Sequence, residues 1–109
     1  MWVYLNDAHL SIVAHREVAD CLLVRARVRG DIEAVFPHAQ VEHTPHGDYA
    51  FRAKVRREEV AEALAQRVEA IDYDNFKNSC PDSRHRAYLD VWAAGAEALQ
   101  RLDADLGPR

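Results

Sequence analysis

Three groups of side chains in this 109-residue chain could do chemistry: six histidines, two cysteines, and two runs of basic residues at every second position. His43 and His46 stand three apart with Asp48 close by, the donor types that zinc and other divalent ions take. A closed structural site needs four converging ligands, and no second pair stands at metal-binding spacing. The three residues therefore read as a solvated hairpin tip, and no metal is expected. Cys80 and His85, five apart across a helix start, could pair as nucleophile and base. No oxyanion donor or third orienting residue accompanies them. The chain contains no GxxxxGK[ST], GxGxxG, HExxH or GxSxG. No catalytic residue and no cofactor is expected, and the reading leans away from an enzyme.

The basic runs carry more information. In residues 21–29, Leu22, Val24, Ala26 and Val28 alternate with Leu23, Arg25, Arg27 and Arg29. In residues 49–55, Tyr49, Phe51, Ala53 and Val55 alternate with Ala50, Arg52 and Lys54, and Arg56 continues the polar side. Period two is the signature of a strand buried on one face. If these two strands lie side by side, Arg25, Arg27, Arg29, Arg52, Lys54 and Arg56 share one surface, six of the 14 lysines and arginines in the chain. His9 and His15 would join them from a neighbouring strand.

The remaining elements must bring those strands together. Residues 2–5 are aromatic and β-branched, Asn6-Asp7 is a turn signal, and residues 9–15 alternate, which predicts an N-terminal hairpin. After the strand at 21–29, Gly30-Asp31 opens a short helix with Asp31 as its N-cap and Pro37 at its end, burying Ile32, Val35 and Phe36. Residues 40–44 and 49–55 flank Pro45-His46-Gly47-Asp48 and predict a second hairpin. Val60, Leu64, Val68 and Ile71 mark a helix over 58–71. Residues 72–81 form a polar connection. Asp82 or Ser83 caps a last helix running to about 103, with Tyr88, Val91, Trp92, Leu99 and Leu102 as its stripe and fraying expected over 106–109.

The predicted order is β-β-β-α-β-β-α-α in one α+β domain spanning 1–109. Strand three through the long helix reads as most of a ferredoxin-like split βαβ unit, with the N-terminal hairpin extending the sheet and the helices packed on one sheet face. About half the residues are apolar and 29% are charged, enough for a core without staples. No apolar run approaches the ~18 residues of a membrane span. The opening residues lack a basic stretch followed by a long apolar one, so a cytoplasmic location is expected, with no membrane partner.

A basic sheet face would oppose an acidic helical side carrying Glu58, Glu59, Glu62, Glu69, Asp72 and Asp74, a polarity that orients partners. Long arginines also keep a plain exposed face soluble. The net charge of −4 argues against a dedicated nucleic-acid binder. Sheet-face RNA readers place stacking aromatics among the charges, and the candidates here are Trp2 and Tyr4, whose facing the sequence leaves open. The loop Tyr73-Asp74-Asn75-Phe76-Lys77-Asn78-Ser79 is unusually aromatic for a linker. It reads as a plug at the core edge, or as a contact loop in which Tyr73, Asn75, Phe76 and Lys77 meet a partner.

The segments Ala70-Ile71-Asp72-Tyr73, Asn75-Phe76-Lys77, Arg84-His85, Ala87-Tyr88 and Val91-Trp92 resemble a set of short bacterial proteins of unassigned function. Met1-Trp2, Val13-Ala14-His15-Arg16, Leu22-Leu23-Val24-Arg25-Ala26-Arg27 and Asp48-Tyr49 with Arg52 are similar to them too. The resemblance implies a self-contained cytoplasmic unit and transfers no activity or ligand. In those proteins the run before Arg84-His85 is more acidic and lacks Cys80-Pro81, which weakens any role for that thiol.

The leading expectation is a non-enzymatic module that docks on an acidic protein through the basic face, as a small inhibitor or adaptor would. Phage-type inhibitors of bacterial defence systems share this size and charge. The alternatives are a nucleic-acid-associated protein using the same face, and a small-molecule or metal-dependent sensor or enzyme built on the histidine hairpin. Edge pairing of residues 2–5 into a homodimer is a further expectation.

Overall fold

Period-two alternation in the first half of the chain becomes a five-stranded antiparallel sheet in the computed structural model, which describes residues 1–108. The strands are β1 (Trp2–Tyr4), β2 (His9–Ala14), β3 (Cys21–Ala26), β4 (Glu42–His43) and β5 (Phe51–Arg56), in the spatial order β1-β2-β3-β5-β4. Helix α1 (Asp31–Val35) joins β3 to β4. Helix α2 (Arg57–Glu69) follows β5 directly, and α3 (Asp82–Leu106) follows a single 3-10 turn at Lys77–Ser79. The result is an α+β protein with a five-stranded sheet and three α-helices. Contacts divide the chain into two units, Met1–Asp72 and Tyr73–Arg109.

The core of the first unit lies on one face of the sheet. Leu10 and Ile12 from β2, Val24 and Ala26 from β3, and Phe51, Ala53 and Val55 from β5 meet Ile32 and Phe36 at α1 and Val60 of α2, all buried. Val3 of β1 and Leu22 of β3 pack at the margin of the same cluster. Both helices of this unit therefore cover the same sheet face. An ion pair from Arg67 to Asp7, at 2.7 Å and 3.1 Å, ties the last turn of α2 to the β1–β2 turn. Arg67 also donates to the carbonyl of Ala34 at 3.2 Å.

Several predicted boundaries move, each for a local reason. Strand β3 stops at Ala26 rather than at 29, because the Asp31 amide donates to the carbonyl of Val28 and Gly30 adopts φ +92°, a left-handed conformation that costs glycine little. Gly30, not Asp31, is the N-cap of α1. The buried Asp31 carboxylate is drawn across to β2 instead, where Oδ2 accepts from the backbone amide of His9 at 2.9 Å. Strand β4 keeps only two of the five residues predicted. Helix α2 buries Val60 and half-buries Leu64, but Val68 is 66% exposed and Ile71 lies beyond the helix end.

In the second unit, α3 starts at Asp82 behind Pro81 and runs through Leu106, three residues past the expected end. Tyr88 of the predicted stripe is buried, while Trp92, Leu99 and Leu102 are exposed. Phe76 stacks on Tyr88 with ring centroids 5.6 Å apart, and Tyr73 tilts against Phe76 at 5.9 Å. The aromatic connection thus packs on the start of the helix in its own unit. Of the segment expected to fray, Arg109 lies outside the described residues.

These burials set a contrast that urea denaturation can check. Ile32→Ala empties a fully buried site and should cost about 2–5 kcal/mol. Val68→Ala, on the predicted apolar stripe of α2 but exposed, should change stability by less than about 0.5 kcal/mol.

Candidate docking face

The pairing register decides which side chains share the face away from α1 and α2. Strand β3 pairs with β5 through Cys21↔Arg56, Leu23↔Lys54 and Arg25↔Arg52, so the two basic runs meet rung by rung as the sequence predicts. Ser11 pairs with Arg25 on one side and with Trp2 on the other, and Arg52 pairs with Glu42. One rung thus crosses all five strands as Trp2–Ser11–Arg25–Arg52–Glu42. Its facing follows from the neighbours: Val3, Leu10, Ile12, Val24, Phe51 and Ala53 belong to the core, so the alternate positions point away from it.

The basic residues are organised around Tyr49. This buried ring carries the Arg25 guanidinium at 4.5 Å from its centroid and the Arg27 guanidinium at 4.2 Å. Such cation–π contacts contribute about 0.5–2 kcal/mol depending on desolvation. Arg52 Nε donates to the Tyr49 carbonyl at 3.5 Å. Arg25 Nη2 donates to Ser11 Oγ at 2.7 Å, and Ser11 is only 1% exposed. Arg25 Nε is the one buried side-chain polar atom without a partner among the described residues. Arg27 also reaches Asp48 at 3.2 Å and 3.4 Å. Desolvation works against its charge, but the hydrogen bonds to Asp48 and Tyr49 and the attraction of both groups together outweigh it and raise its pKa above the usual arginine value. Arg27 is therefore a fixed cation in any neutral or mildly alkaline solution.

Not all six predicted basic residues join this cluster. The Arg29 guanidinium lies 5.0 Å from the centroid of Phe51, a core ring, and so leaves the face; the turn at Val28 breaks the alternation that placed it there. Arg56 continues the face but is paired with Glu58. Lys54 is exposed opposite half-buried Leu23. His15 is turned to the backbone: its Nδ1 accepts the amides of Glu17 and Val18, each at 3.2 Å, and closes the β2–β3 turn.

The same register settles the aromatics. Trp2 is 70% exposed, and Tyr4 lies stacked on His9 at 4.1 Å with planes 12° apart. Both alternate with the core residue Val3, so both stand on the basic face. Sequence reasoning missed Ser11 and Tyr49 as organisers of the arginines. Only the cross-strand register brings Ser11 beside Arg25, and nothing in the local pattern around Tyr49 announces it.

Other candidates are placed differently. His43 stacks on Phe51 at 4.9 Å, Asp48 is engaged by Arg27, and no group of three or more histidine, cysteine, aspartate or glutamate side chains able to hold a metal occurs among the described residues. Cys80 Sγ donates to the Phe76 carbonyl at 3.4 Å, and His85 Nδ1 donates to the Lys77 carbonyl at 2.5 Å, so each is turned to backbone. In the connecting loop, Asn75 Oδ1 accepts the Asn78 amide at 3.1 Å, and Lys77 Nζ stands 5.0 Å from the Trp92 ring centroid. Tyr73, Asn75, Phe76 and Lys77 are all engaged within their own unit. A groove of about 720 Å³ beside β5 is lined by Arg52, Lys54 and Arg56 together with Glu17, Glu42 and Glu59, a mixed set without a dominant charge.

The buried Ser11–Arg25 pair makes a quantitative prediction. Ser11→Ala strips the guanidinium of its hydroxyl partner and should cost about 1–3 kcal/mol by urea denaturation, whereas Ser11→Ala with Arg25→Met should recover most of that loss. Comparison of the chain with protein-family models, with curated proteins and with solved structures returns no match, so the functional reading rests on the residues and their geometry.

Proposed function

We propose that this chain is a non-enzymatic module that binds a macromolecule through the sheet face opposite α1 and α2. The observation that supports it is the direct Arg25↔Arg52 pairing, which gathers Arg25, Arg27, Arg52 and Lys54 on a face that neither helix of its unit covers. An anionic surface meeting this cluster would gain charge-assisted hydrogen bonds from planar guanidinium groups already held in place by Tyr49 and Ser11. A contact of the ordinary size, roughly 800 Å² per partner, fits on such a sheet.

In this reading the first unit follows the ferredoxin-like split βαβ plan. Strand β5 lies between β3 and β4 and is antiparallel to both, and the N-terminal hairpin occupies the flank beyond β3. A small inhibitor or adaptor, including one of phage type, needs no more than this scaffold and its charged face. The resemblance to short bacterial proteins points to the cytoplasm as the place where it acts. No helix among the described residues is long and apolar enough to cross a membrane.

The structure refines the variant that tests the proposal. Arg25 is half-buried and bonded to Ser11, so reversing its charge would damage the fold as well as the face. Arg27 and Lys54 are exposed. Arg27→Gln with Lys54→Glu should cost no more than the contacts of Arg27 to Tyr49 and Asp48, about 1–2 kcal/mol by urea denaturation, and leave the protein folded while abolishing capture of the partner from a lysate of the source organism or its host. Retention of the same partner by a folded double variant would sink the docking face.

A further inference from the structure

We infer that the apolar seam of α3 pairs with the same seam on a second copy of this chain, forming a short antiparallel two-helix coil. The basic sheet face plays no part in this inference. Three observations carry it.

The first is spacing. Trp92, Gly95, Leu99, Leu102 and Leu106 follow one another at steps of three, four, three and four residues. This is the repeat of a left-handed two-stranded coil, in which side chains of one helix fill the gaps of another. Trp92 is 59% exposed, Leu99 64%, Leu102 50% and Leu106 56%. Among the described residues Tyr88 is the one buried residue of α3, and it stacks on Phe76 at the start of the helix. From Trp92 to Leu106 the seam runs ~21 Å with its apolar side open.

The second is the fit of the seam to itself. An antiparallel pair whose two-fold axis passes at the level of Glu97 sets Trp92 against Leu102 of the second copy, and Leu99 against Gly95 of the second copy. Each match occurs twice by symmetry. The place where a Cβ of Gly95 would stand has no atom within 4 Å, so the seam carries a notch there. Glycine inside a helix is unfavourable relative to alanine, and no neighbour among the described residues comes close enough to require it. A leucine from a second helix seated in the notch does require it. A parallel pair would stack Gly95 on Gly95 and leave a void.

The third is charge. In the first half of α3, Asp82 and Asp90 are balanced by Arg84 and Arg86. In the second half, Glu97, Asp103 and Asp105 face the single cation Arg101. Lys77 stands 5.0 Å from the centroid of the Trp92 ring, which it leaves largely exposed, and adds a cation beside the first half. Antiparallel pairing lays each acidic half along the half that Lys77 neighbours, whereas parallel pairing would lay the two acidic halves together. It also sets the two helix dipoles in opposition.

The test is sedimentation velocity of the full chain over about 5–300 µM, a range that brackets the weak association expected of a seam smaller than an ordinary interface. The expected result is a mass that rises from one chain to two across that range. Leu99→Gln and Leu102→Gln, both at exposed positions, should each weaken dimerisation at least about tenfold with the far-UV circular dichroism of the dilute protein unchanged. Gly95→Leu favours the helix but fills the notch, and should weaken the dimer too. Glu97→Gln, on the outer side of the same turns, should leave it unchanged. Orientation is read with a short bis-maleimide in a Cys80→Ser background, the other thiol, Cys21, being buried. Ala98→Cys lies beside the two-fold axis and should be linked, whereas the two copies of Asp105→Cys stand ~24 Å apart along the coil and should not. A monomer at every concentration overturns the inference, and so does a dimer that Leu99→Gln and Leu102→Gln leave intact. Linking at position 105 as readily as at 98 overturns the antiparallel pairing and the inference with it.

Discussion

Everything in the first unit depends on the pairing of β3 with β5. Six consecutive residue pairs join segments separated by α1, β4 and two turns. That single register places Val24, Ala26, Ala53 and Val55 under the helices and Leu23, Arg25, Arg52 and Lys54 on the opposite side. A slip of one residue would exchange the two sets, burying three charges and exposing the core, so the hydrophobic face pins the basic face in place. The charge cluster is in this sense a by-product of core packing, fixed as firmly as the core itself.

The arginines on that face are not loose counter-charges. Arg25 and Arg27 lean on Tyr49, Arg52 bonds its carbonyl, and Arg25 reaches Ser11. Each contact removes rotamer freedom before any ligand arrives, which lowers the entropic cost of binding. It also lowers the charge on offer, because Asp48 answers Arg27 and Glu58 answers Arg56. The face is better described as a small set of oriented planar groups than as a broad positive field.

Much of this organisation was legible in the sequence, and the misses have physical causes. The strong alternation of 21–26 and 51–56 marked the two central strands, and the apolar spacing around Val60 and Leu64 marked α2. The alternation of Arg27, Val28 and Arg29 looked no different, yet a backbone turn at Val28 ends the strand, and a turn hydrogen bond leaves no trace in hydropathy. Val68 kept the helical period but stands exposed, because periodicity marks a face and not what covers it. The facing of Trp2 and Tyr4 was readable in principle: Val3 is the aliphatic residue between two aromatics, and one turned inward sends the other two outward. The role of Tyr49 was not readable, since it arises only when residues over twenty positions apart are laid side by side.

The shortness of β4 has a consequence for the molecule at high concentration. It covers only Phe51 and Arg52, so among the described residues Ala53–Arg56 run along the sheet border with no strand beyond them. Such a border is a template on which another chain can add itself, the first step towards a fibril. Here the template carries Lys54 and Arg56, and a second chain arriving in register would bring like charges against them. These two residues act as guards of the border whatever else the face does. Exchanging them for the β-branched residues that favour strands would strengthen the strand in isolation and shorten the time the protein stays dispersed.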